Sequence, residues 1–171
     1  MAEATKTSGY NWSKFVKRIS LNASLENIYK AWATSEGIEN WFLEQAEFTK
    51  TDGKLREKDS EVQAGDNYTW YWFGYPNYVA NGKVLETNGK DSLSFTFSGG
   101  CIVNISIKQE DKETICELTQ TMPQEKIEEQ QYYFIECGKG WTFYLTNLKS
   151  TLEGGLDLRN KNDNLTNMVN A

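Results

Sequence analysis

The chain is 171 residues long, the size of one ordinary domain, and its 39% hydrophobic and 13% aromatic content excludes intrinsic disorder. Eighteen basic against 24 acidic side chains leave a net charge of −6 with no basic patch, which argues against a nucleic-acid partner. Histidine is absent, so an imidazole base, a Ser-His or Cys-His nucleophile pair and a His-ligated zinc are all excluded.

Residues 1–13 are largely small and polar and carry no signal-peptide core, so they are expected to form a flexible N-terminus. Phe15, Ile19 and Leu21 then share one face at period two and predict a first strand. Asn22 or Ser24 can cap a helix on which Leu25, Ile28, Tyr29 and Trp32 follow helical spacing. Thr34 or Ser35 can cap a second short helix presenting Ile38, Trp41 and Phe42.

The period then changes. Ala46 to Thr51 reads as a strand, followed by a charged, solvated loop from Lys54 to Asp59. Tyr68 to Phe73 has strong strand propensity with bulky rings on both faces. A turn at Gly74-Tyr75-Pro76-Asn77 leads into a strand from Val79 to Glu86. Asn88-Gly89 turns into alternating Leu93, Phe95 and Phe97, and Gly99-Gly100 into alternating Val103, Ile105 and Ile107. Asp111-Lys112 makes the last hairpin, into Thr114 to Thr121, where Cys116 and Leu118 share a face. Pro123 to Gln131 is charged and reads as one or two irregular helical turns. From about Cys137 to Glu153, Trp141, Tyr144, Leu145, Leu148 and Leu152 fall on one stripe of a helix roughly 25 Å long. Gly154-Gly155 is a C-cap signal, and residues 160–171, rich in Asn, form a flexible tail. The class is α+β: a strand, two short helices, an antiparallel meander and one long helix.

That order resembles the helix-grip superfamily of START, Bet v 1 and polyketide cyclase-like domains. Within it, the chain is similar to the activator of Hsp90 ATPase homologue-like domains. The likeness runs from Lys14 to Arg159. It is carried by Ile28-Tyr29-Lys30-Ala31-Trp32, Ile38-Glu39-Asn40-Trp41-Phe42, Gly82-Lys83-Val84-Leu85-Glu86 and the stretch Gly140-Trp141-Thr142 to Asn147-Leu148-Lys149. A Gly-Trp pair followed by Asn-Leu-Lys on the terminal helix is the most specific of these marks. Ile28-Tyr29 stands where many relatives carry Val-Trp, a change that affects packing. The resemblance implies one domain over residues 14–159, with a curved sheet of about six or seven strands gripping the long helix. It also implies an apolar cavity between the two.

Against that frame the aromatic residues divide between core and ligand wall. Of Trp70, Tyr71, Trp72 and Phe73 one alternating pair, Trp70 and Trp72 or Tyr71 and Phe73, supplies inward rings, while Trp41, Phe42 and Trp141 stand where a short helix and the grip helix approach the sheet. These seven are the candidate ligand-binding residues. Packing in an ordinary core is the competing account for each of them.

No catalytic set emerges. Glu44, Glu47, Asp66, Glu86 and Glu117 sit at loop or outward positions with no sign of the burial that raises a carboxyl pKa. Glu125, Glu128 and Glu129 favour a helix N-terminus and give no metal site. Cys101, Cys116 and Cys137 lack C-x-x-C spacing, and their odd number suits free thiols in a reducing cytoplasm. No cofactor is implied, and no apolar run approaches the roughly 18 residues of a membrane span. Three functional classes follow. The first is a binding module for an apolar or lipid-like small molecule. The second is a protein-interaction domain related to Hsp90 co-chaperones, with a chaperone contact or a homodimer as its mode. The third is a cyclase or hydratase-like enzyme, which lacks its usual histidine base. Binding ranks first.

Overall fold

The structure, a computed structural model, describes residues 10–162, 164, 165, 168 and 169. Most of the expected flexible N-terminus and part of the expected C-terminal tail therefore lie outside the described residues. Among the described residues seven strands form one antiparallel sheet: β1 (Lys14–Leu21), β2 (Gln45–Thr49), β3 (Asn67–Tyr71), β4 (Val79–Thr87), β5 (Ser92–Phe97), β6 (Cys101–Glu110) and β7 (Glu113–Thr121). Their order is β1-β7-β6-β5-β4-β3-β2, so each hairpin neighbour pairs in turn and β1 returns to the far side of β7. A register shift between Val84 and Glu86 marks a bulge in β4, which increases local bend and helps curve the sheet.

Two short helices, α1 (Leu25–Ala33) and α2 (Ser35–Glu39), follow β1. Ser24 caps α1, its Oγ accepting from the Asn27 amide at 3.1 Å. Thr34 serves both helices. Its hydroxyl donates to the Lys30 carbonyl at the end of α1 and accepts from the Gly37 amide at the start of α2, each at 2.9 Å. The tight junction turns Ile28, Trp32 and Ile38 onto the sheet, where all three are buried.

The terminal helix α3 spans Ile127–Leu152, 26 residues or about 39 Å. It begins ten residues before the stripe read from sequence. The segment expected to be irregular completes it, because Glu128 and Glu129 lie in its first turn, where negative charge meets the positive end of the helix dipole. Trp141, Leu145 and Leu148 face the sheet and are buried. On the first half of the helix, Phe134 takes the edges of Phe15, Trp12 and Tyr10, centroids 5.1–5.5 Å away. The helix ends at Gly154, whose φ of 80° is the left-handed conformation of a C′ residue.

Candidate functional site

β3 alternates inward and outward, and this sorts the aromatic run. Tyr68 and Trp70 are buried, as is Trp72 just past the strand end, while Tyr71 and Phe73 point the other way and are half-buried. Phe73 lies under two cations, the Arg159 guanidinium and the Lys161 ammonium, each 5.3 Å from its centroid. Trp70 stacks on Tyr68 at 3.8 Å and meets Phe42, Phe48 and Phe95 edge-on. It belongs to the layer behind the site.

Phe42 is the centre of the arrangement. It lies nearly parallel to Trp41 at 5.3 Å and to Trp141 at 5.0 Å, and takes Trp72 and Tyr144 edge-on at 5.7 and 4.7 Å. Trp41 is fixed from behind, its indole N–H donating to the Ala31 carbonyl at 2.9 Å. Trp141 is fixed from below, donating at 2.7 Å to Oε1 of Gln120, a fully buried side chain on β7. Both indoles thereby satisfy a buried donor and hold one orientation.

Over this base opens a cleft of about 510 Å³ between α3, the end of β5 and the loop from β3 to β4. Phe42, Trp72, Phe97, Trp141 and Tyr144 form its floor and walls, and Tyr75, Tyr78 and Tyr132 stand exposed around its mouth. The end of the Tyr133 ring packs against Gly99, whose φ of +66° and missing Cβ make room for it. Gly140 adds open space, since a Cβ built there would meet nothing. Of the seven residues proposed from sequence, Phe42, Trp72 and Trp141 come together on the cleft. Trp41 and Trp70 back them, Tyr71 lies on the opposite face of β3, and Phe73, in the turn beyond that strand, packs against Arg159 and Lys161. The sequence reading missed Phe97 and the tyrosines. For Tyr133 and Tyr144 a signal existed, since Tyr133, Cys137, Trp141 and Tyr144 continue one helical stripe backward.

The base is braced from outside by the segment after α3. Asn147, fully buried, donates to the Trp41 carbonyl at 2.7 Å and accepts from the Leu158 amide at 2.7 Å. Arg159 donates to the Leu43 carbonyl at 2.8 Å and clasps Asp157 through Nε and Nη2. Burial works against the Asp157 charge, but hydrogen bonds from Arg159 and Lys161 outweigh it and hold the carboxyl well below its ordinary range.

Three ionisable groups of the cleft are shifted by burial. Burial pushes the Tyr144 phenol above its ordinary value, does the same for Tyr133, and raises the Cys137 thiol to about 11. All three are therefore protonated at neutral pH, offering neither base nor nucleophile. Among the described residues no group of three or more Cys, Asp or Glu is placed to hold a metal ion, and no helix is long and apolar enough to cross a membrane.

Solved structures share the fold at low identity. A crystal structure of a protein from Staphylococcus saprophyticus matches with a TM-score of 0.67 and 16% identity, covering 85% of this chain and 96% of that one. The solution structure of the Aha1 dimer from Colwellia psychrerythraea matches at 0.61 and 18%, covering 83% and 97%. DynU16, a protein in the dynemicin biosynthetic locus, matches at 0.63 and 17%, covering 87% of this chain and 50% of its own. Among curated proteins no sequence matches significantly. The family model of the Activator of Hsp90 ATPase homolog 1-like proteins matches residues 22–153, from the first helix to the end of the grip helix, and the chain belongs to that family.

Proposed function

We propose that the protein is a small-molecule binding module that seats an apolar or aromatic ligand in the cleft between α3 and the concave face of the sheet, acting through one domain over residues 14–159. The observation carrying this reading is the cleft itself. Its volume of about 510 Å³ lies in the usual range for ligand sites, and its walls are large rings held in place from behind. Rings fixed by their own hydrogen bonds lose little freedom when a ligand arrives, so apolar burial is not offset by ordering the site. Protonated phenols and a protonated thiol favour holding over reacting, which ranks carriage above catalysis. The free thiols Cys101, Cys116 and Cys137 fit a reducing cytoplasm.

Titration with an environment-sensitive hydrophobic dye, followed by Trp fluorescence, tests the reading. Saturable uptake is expected in the wild type, together with ligand protection of Cys137 from alkylation. Gly140→Leu should abolish both while keeping the far-UV circular dichroism, because the new side chain enters open space. A wild type that takes up no probe returns the chain to the protein-interaction reading.

A further inference from the structure

We propose that the cleft is selective for ligands carrying a positive charge beside an aromatic or alkyl body, such as a quaternary ammonium or N-heteroaromatic cation, and rejects carboxylate lipids. The inference rests on the binding reading above and names the class of ligand. Nine aromatic residues line the space, Phe42, Trp72, Trp141 and Tyr144 at its base among them, and the negative face of an aromatic ring attracts a cation. Among the described residues Glu136 is the only formally charged side chain lining it, and no Lys or Arg does. A carboxylate ligand entering there would exchange water for rings and protonated phenols with no cationic partner, a costly transfer.

Two nearby cations do not alter this balance. Lys139 pairs with Glu136 at 2.8 Å on the exposed side of α3, a contact of the weak surface kind that a ligand ammonium can replace. The field of Arg159 reaches Tyr144, but its guanidinium is clasped by Asp157 and capped by the Leu43 carbonyl. The net charge of −6 adds a long-range attraction for cations and repulsion for anions.

Three naphthylmethyl probes separate this inference from the binding reading: (2-naphthylmethyl)trimethylammonium, its neutral neopentyl isostere, and the carboxylate naphthalene-2-acetate. Each is titrated into the full chain by calorimetry, with Trp fluorescence as a second readout. The cation should bind roughly tenfold tighter than the neutral isostere, within the range a desolvated cation–π site provides, with the carboxylate weakest. Glu136→Gln should weaken the cation severalfold and leave the neutral probe unchanged. Gly140→Leu should remove binding of all three. Equal affinity for cation and isostere, or tightest binding of the carboxylate, overturns the charge selectivity while the binding reading stands. Loss of no cation affinity in Glu136→Gln also counts against it. Failure of every probe to saturate sinks both.

Discussion

Phe42 lies flat between Trp41 and Trp141, so the ring that floors the cleft is also part of the core. Farther along α3, Leu148 carries core packing alone: it is fully buried and does not line the cleft. Leu148→Ala should lower stability by about 2–5 kcal/mol, read as a shifted denaturant midpoint with unchanged slope, and should leave dye affinity intact where the fold persists. Gly99 makes the opposite kind of case. An alanine there would enter the Tyr133 ring and also adopt a left-handed φ of +66°. Gly99→Ala should therefore destabilise by about 1 kcal/mol or more and weaken ligand uptake by displacing Tyr133 from the cleft. Gly140→Ala, on a helix with open space before it, should raise stability by up to roughly 1 kcal/mol.

The elements differ in how far their residues announced them. The strands were legible because Leu93, Phe95 and Phe97, or Val103, Ile105 and Ile107, alternate with polar neighbours, and only a pleated strand turns such a set to one side. Ser24 and Thr34 were legible as caps because their hydroxyls suit the unpaired amides of a first turn. The first half of α3 was not. Beyond the pair Tyr133 and Cys137 that continues the stripe, its apolar residues point two ways, with Ile127, Tyr132 and Ile135 exposed while Phe134 packs on β1, so the start of the helix is unmarked. The same division runs through the site. Trp72 and Trp141 stood out as large rings on periodic elements, whereas Tyr75 and Tyr78 lie in a loop, where spacing carries no directional information. For α3 this predicts uneven protection in hydrogen exchange. Amides from 141 to 152, beneath buried Trp141, Leu145 and Leu148, should exchange markedly more slowly than those from 128 to 136. Uniform protection along the helix would contradict the division.

Across the whole molecule, ionisation sets the limits of stability at both ends of the pH scale. Asp157 has a folded pKa depressed from its ordinary 3.8, so its contribution is complete above that value and fades as the pH falls further. Burial pushes Cys137 up from 9.0 to about 11 and Tyr68 up from 10.0 to about 12, so their contributions are complete below pH 9 and are lost as the pH rises toward 12. Thermal melts should accordingly show a plateau bounded by these two declines. Asp157→Asn should soften the acid-side decline by removing its titrating group, at the cost of lower stability on the plateau. An unchanged acid limb in that variant would show that other carboxylates govern it.

The pairing of β1 with β7 also governs when the molecule can be completed. Lys14 sits opposite Thr121 and Leu21 opposite Thr114, partners about a hundred residues apart. At ordinary synthesis speeds of roughly 5–20 residues per second, the first strand leaves the ribosome some 5 to 20 s before its partner exists. Through that interval Phe15 and Leu21 have no sheet to cover them, and the grip helix is made later still. β1 can therefore join the sheet only once β7 has been made.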